Sequence, residues 1–199
     1  MGDPTEALAP FAPYVIATAI IIFGVYAFII RKKFANPVVI AMSGITAALV
    51  AVATSVIKIT IPTTGGYLNF GDTMVMFTAM TFGPVIGAFA GGVGSALGDV
   101  IVGAPGWAPV TLVVKGLEGL AIGYLAKRLK GTGGLIVAGA VGGLIMVAGY
   151  FFFELYAFGF SIAYSEIPVN LLQAVTGIIV GTGLTTAIKR RYPELEDLV

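Results

Sequence analysis

Apolar residues run along the chain in long blocks, broken at short polar or Gly/Pro-rich joints rather than alternating as in strands. Taking about 20 apolar residues per crossing, the blocks predict seven membrane spans, roughly 11–30, 37–57, 69–82, 85–103, 109–126, 134–156 and 168–188. The third is short, and Gly83-Pro84 predicts a tight turn between it and the fourth. No linker or low-complexity stretch marks a second domain. The expected division is an N-terminal outer end and anchor helix over 1–33, a membrane bundle over 34–192, and a solvated tail over 193–199.

Composition agrees with this pattern. Of 199 residues, 58% are hydrophobic and 11% charged, and mean hydropathy is +1.00. A soluble domain of this size carries far more polar surface. The chain has no cysteine and no histidine, which excludes disulfides, Cys/His metal sites and catalysis by thiolate or imidazole. A net charge of +1 gives no basic surface for nucleic acid.

Charge placement sets an expected orientation. Arg31-Lys32-Lys33 follows the first span, Lys127-Arg128 with Lys130 the fifth, and Lys189-Arg190-Arg191 the seventh. Counted by crossings, the three clusters share one side, which the positive-inside rule makes the cytoplasm. Lys58 falls in a loop on the other side. The N-terminus is then outside and the C-terminus inside. The first span has Asp3 and Glu6 before it and its basic cluster after it, the reverse of a signal peptide, and reads as a retained anchor.

Charged groups inside a span are costly and face a cavity or another helix. Here nearly all fall in the outer half. Asn69 and Asp72 open the third span, and Asp99 lies a turn from the outer end of the fourth. Trp107, Thr111, Lys115 and Glu118 form one helical stripe in and before the fifth. Tyr150 and Glu154 are i, i+4 in the sixth, and Asn170 and Gln173 are i, i+3 at the start of the seventh, after Glu166 in the last outside loop. Each group alone could be structural: Lys115 paired with Glu118 or Asp99, Asp72 capping its helix. Together they predict a pocket open to the outside with aromatic walls. The inner half offers mostly Gly, Ala, Val and Thr.

Small residues form seams that let helices approach closely. Gly87, Gly91, Gly94 and Gly98 line the fourth span, Gly139 and Gly143 the sixth, and Ser43, Ala47, Ala51 and Ser55 the second. The first two seams are expected to pack within the bundle. The third packs inward or faces a partner subunit.

The run "YLNFGDTMVMFTAMTFGPVIGAFAGGVGSALGDVIVGAPGWAPVTLVVKGLEGLAIGYLAKR" (67–128) resembles the substrate-binding S components of energy-coupling factor (ECF) vitamin transporters, in the group for riboflavin, pyridoxine and hydroxymethylpyrimidine. Its G-D, F-G-P, G-G-x-G-S-A-x-x-D, W-A-P and K-G-x-E-G elements carry the likeness. The resemblance implies an all-α integral membrane protein: a six-helix S-component bundle plus one additional N-terminal transmembrane helix. It implies a non-enzymatic subunit without cofactor that captures a vitamin-like molecule and partners with a transmembrane coupling subunit and two cytoplasmic ATPases. No G-x-x-x-x-G-K-[ST] occurs in the chain itself. The loop "KITIPTTGGYLNFGD" becomes a lid, with Gly65-Gly66 for mobility and Tyr67 over the substrate ring. Trp107 and Tyr150 become stacking residues. Asn69, Asp72, Asp99, Thr111, Lys115, Glu118, Glu154, Asn170 and Gln173 become polar partners of substrate. An Ala-x-x-x-Ala motif maps onto Ala47 and Ala51, as a coupling-subunit contact on an outward seam. Two rivals remain: a self-contained transporter with Asp72, Asp99 or Glu154 as a proton-coupled site, and an intramembrane enzyme.

Overall fold

The computed structural model describes residues 12–56, 58–60, 67–193 and 195. The expectations placed on the N-terminal end, on Gly65-Gly66 and on most of the tail lie outside these. The helices are α1 (Ala12–Ile30), α2 (Pro37–Val56), α3 (Gly71–Phe82), α4 (Pro84–Phe89), α5 (Ser95–Ile101), α6 (Ala108–Arg128), α7 (Gly131–Phe158) and α8 (Phe160–Arg191). A π-helical stretch, Ala90–Gly94, joins α4 to α5 in one span. Six spans among the described residues are long and apolar enough to cross a membrane. With α3 they make the seven expected passes, and the chain is an all-α membrane bundle.

The short third span is the centre of the bundle. α3 has 12 residues, about 18 Å against about 30 Å of hydrocarbon. It is buried on nearly every side, between α2, α4, α6 and α8. Gly83 ends it at φ +86°, which only glycine adopts without strain, and Pro84 opens α4. The predicted turn is there.

What α3 lacks in length is made up at its N-terminal end by a two-stranded antiparallel ribbon, β1 (Lys58–Thr60) with β2 (Tyr67–Asn69). The sequence reading took this segment as loop and began the third span at 69. Two three-residue strands are too short to show a period. The ribbon holds Tyr67 and Asn69 over the end of α3, and β2 lies against α8 and α2.

The glycine seam of the fourth span packs inside the bundle, as expected. A Cβ on Gly94 would stand 2.6 Å from the Ala47 carbonyl oxygen, and one on Gly87 2.9 Å from that of Gly119. In the sixth span, Gly143 meets Ala174 of α8.

The seam of the second span is where expectation fails. Ala47 and Ala51 are each 5% exposed. Ala47 packs with Val50, Val75 and Ala90. The Ser43–Ala47–Ala51 line therefore faces inward, because the glycines opposite let α2 approach the fourth span closely. The small residues that α2 turns outward are Ala41, Gly44 and Ala48, with open space around Gly44.

Two further boundaries differ. α8 starts at Phe160 and runs through Pro168, whereas the expected seventh span begins at 168. The proline's missing N–H frees only the Tyr164 carbonyl, at an exposed position. At the other end Leu195 packs with the Val39, Phe77, Phe82 and Ile86 cluster rather than standing solvated.

The basic residues gather at one end of the bundle. Lys127, Lys130, Lys189 and Arg190 line one open cavity there, and Lys33 and Lys189 both bear electrostatically on Lys127. The ribbon stands at the opposite end. α1 packs beside α6, and its Tyr26 hydroxyl donates to the Val85 carbonyl at 2.6 Å.

Candidate functional site

At the ribbon end, a cavity sits above the start of α3. Tyr67 and Asn69 come from β2, Asp99 from α5, Trp107 and Thr111 from the head of α6. Tyr150 and Glu154 come from α7, and Glu166, Asn170 and Gln173 from α8. Nine of the twelve polar and aromatic residues singled out from the sequence thus meet in one place. The interior volume is about 50 Å³, enough for a few waters at roughly 10–15 Å³ each.

The ribbon closes this space. The Tyr67 hydroxyl donates to Asp99 Oδ1 at 2.6 Å. Burial first, then the Asp99 charge, pushes the Tyr67 phenol far above its ordinary range, so it remains a donor. The Asn69 N–H donates to Gln173 Oε1 at 3.1 Å, tying β2 to α8. One wall is aromatic: Trp107 meets Phe153 at 5.5 Å and Tyr150 at 6.1 Å between ring centroids, both edge-on. The Tyr150 hydroxyl donates to Thr111 Oγ1 at 3.2 Å.

Three of the lining groups carry buried polar atoms without a hydrogen-bond partner: Asp99 Oδ2, Glu154 Oε2 and Trp107 Nε1. Buried polar atoms are nearly always satisfied. The three are among nine such unpartnered atoms in the described residues, and these three line one cavity.

Asp72, Lys115 and Glu118 stand apart from the cavity wall, in a cluster beneath it. Lys115 Nζ donates to Asp72 Oδ1 and, at 3.0 Å, to Glu118 Oε2. All three are buried, at 3%, 1% and 0% exposure. Gln173 Nε2 donates to Asp72 Oδ2 at 2.8 Å, so Gln173 links the ribbon above to the ion cluster below. Asp72 does not cap its helix. Phe70, just before α3, offers no capping side chain, and Asn69 Oδ1 accepts the Gly71 N–H at 2.7 Å instead. Asp72 is paired with a lysine rather than serving as a helix cap.

Glu166 is the residue sequence reasoning left out of its candidate set. The sequence places it in the last outside loop, before a seventh span expected from 168. On the continuous α8 it falls in line with Asn170 and Gln173, at i, i+4 and i+7, and is buried. That spacing was readable.

Residues 36–190 match the family described as ECF-type riboflavin transporter, S component. The match begins after α1, which is thus an addition to the family core. An uncharacterized protein from the gap 3′ region of Pyrococcus woesei is 47% identical over 148 residues, covering 74% of this chain and 99% of that one. UPF0397 proteins of Streptococcus agalactiae serotypes V and III are 36% identical over 88 residues, 44% of this chain and 47% of theirs. The chain spans about half the length of these streptococcal relatives. With the membrane bundle and a family match over residues 36–190, the chain belongs to the ECF-type riboflavin transporter S-component family, the substrate-binding membrane subunits of vitamin-type transporters.

Proposed function

We propose that this subunit takes a water-soluble vitamin or vitamin precursor, of the riboflavin, pyridoxine or hydroxymethylpyrimidine class, from outside into the cavity under the ribbon. The observation that carries the reading is the set of unpartnered polar atoms on Asp99, Glu154 and Trp107 around one cavity. The ribbon end then faces outward and the basic end faces the cytoplasm, in keeping with the positive-inside rule. Tyr67 acts as the lid's latch, released as substrate enters. Trp107 and Tyr150 offer ring surfaces, and Asp99, Glu154, Asn170 and Gln173 offer hydrogen bonds.

Energy comes from a coupling subunit and two ATPases at the cytoplasmic face. Among the described residues every buried charged side chain belongs to the cavity or the ion cluster beneath it. The rest of the bundle gives a polar solute no path, so release requires the bundle to move as a body against its partner. This also disfavours a self-contained proton-coupled transporter, which needs titratable groups through the full thickness.

The test is to purify the full chain, identify any co-purifying small molecule by mass spectrometry, and titrate it with B vitamins and their precursors. Binding in the nanomolar to micromolar range is expected. Absence of binding across the whole set refutes capture.

A further inference from the structure

The charge balance around the cavity is one-sided. Among the described residues, the buried charged side chains are five carboxylates, Asp72, Asp99, Glu118, Glu154 and Glu166, and one ammonium, Lys115. That ammonium is committed to Asp72 and Glu118 below the cavity. The lining itself carries Asp99, Glu154 and Glu166 and no lysine or arginine. The charged neighbour that bears on Glu154 is Glu166, another carboxylate. Asp99 and Glu154 are 4% and 3% exposed, and each keeps one oxygen without a partner, although Asp99 also takes the Tyr67 hydrogen bond and feels the Lys115 charge. Buried carboxylates in this arrangement are stable only with positive charge or donated hydrogens from elsewhere.

The aromatic wall favours the same kind of guest. Electron-rich ring faces attract cations and donors rather than acceptors. A neutral flavin brings one ring N–H and its hydroxyls as donors but no positive charge to set against the carboxylates. Its three fused rings would also demand the largest expansion of a space now about 50 Å³.

We infer that the preferred substrate is a single-ring or small heteroaromatic molecule carrying a positive charge and N–H donors, held by Asp99 and Glu154 against Trp107 and Tyr150. This rests on the capture reading above and narrows its substrate class. Glu154 and Asp99 select for charge, and the aromatic wall selects for a flat ring.

The test uses the full chain in nanodiscs and isothermal titration with four probes. Pyridoxamine and pyridoxine form a matched pair, differing in one ammonium against one hydroxyl. Thiamine is a second, permanently charged ring compound, and riboflavin is the neutral flavin. The expected result is that pyridoxamine binds at least tenfold tighter than pyridoxine, and that pyridoxamine or thiamine binds tighter than riboflavin. In Glu154→Gln the pyridoxamine-to-pyridoxine ratio should fall toward one. If riboflavin or pyridoxine binds as tightly as the cations in the unmodified protein, the charge inference is overturned while capture stands. If none of the four probes binds while another vitamin or precursor does, the charge inference is overturned and capture stands; if nothing in the wider set binds either, both fall.

Discussion

Replacing Lys115 with methionine tests whether the ion cluster beneath the cavity is structural. The substitution keeps the unbranched stem and removes the charge, leaving Asp72 and Glu118 buried together without a cation. At an effective dielectric of about 20, opposite charges at the 3.0 Å of the Lys115–Glu118 pair attract by about 5–6 kcal/mol. Desolvation offsets part of this, and breaking a buried pair from one side costs about 3–5 kcal/mol. For a chain of this size, at about 2–4 °C per kcal/mol, the unfolding midpoint should drop by roughly 6–20 °C. The assay is thermal unfolding of the purified protein in one detergent, followed by tryptophan fluorescence, since Trp107 is the sole tryptophan. The triple variant Lys115→Met, Asp72→Asn, Glu118→Gln should recover most of the loss, because no charge is then stranded. A single variant that melts within 2 °C of the parent yet no longer binds ligand would refute the structural assignment, and would place Lys115 among the groups that touch substrate.

Other outcomes follow from the same geometry. Tyr67→Phe removes a hydrogen bond to a carboxylate, worth about 1.5–3 kcal/mol, that must break before anything larger than a few waters enters. Stopped-flow association should accelerate by about tenfold or more, and an unchanged rate would mean the ribbon is no barrier. Ala47→Leu and Ala51→Leu each force a larger side chain against the fourth span and should destabilise by about 1–3 kcal/mol. Gly44→Leu with Ala48→Leu, on the outward face of α2, should keep stability and binding but lose ATP-driven uptake in the assembled transporter. Loss of binding in that pair would show that this face is not a coupling surface. Gln173→Leu strands Asp72 Oδ2 and frees the Asn69 N–H, so melting should shift by about 1–3 kcal/mol and the Asn69 amide should exchange faster in deuterium.

The bundle was legible because its signals are one-dimensional. A span is a block of apolar residues, and a basic cluster at its end marks a side, so seven passes and the shared end of three clusters could be read directly. The pocket was legible for a related reason: costly groups such as Asp99 and Glu154 at matching depths must converge on something. What could not be read was rotation. Ala47 and Gly44 differ by less than one turn, and which of them faces the bundle depends on glycines in another helix. The wider π turn at Ala90–Gly94 likewise changes the phase of Asp99 with no mark in a helical period. Asp72 found Lys115, 43 positions away, for which no local spacing rule exists.

The shortness of α3 also has an electrical consequence. Where the hydrocarbon is about 30 Å thick, this helix covers about 18 Å, and polar groups fill the rest. A transmembrane voltage falls mainly across the low-dielectric part, so at the centre of this protein the field is concentrated by about 1.7-fold over the length of α3. An elementary charge crossing the whole voltage exchanges about 2.3 kcal/mol per 100 mV, nearly all of it along that stretch. A charged molecule resting on the N-terminal end of α3 therefore sits close to the potential of the adjoining solution. Binding of a charged molecule in the cavity is then expected to depend little on voltage.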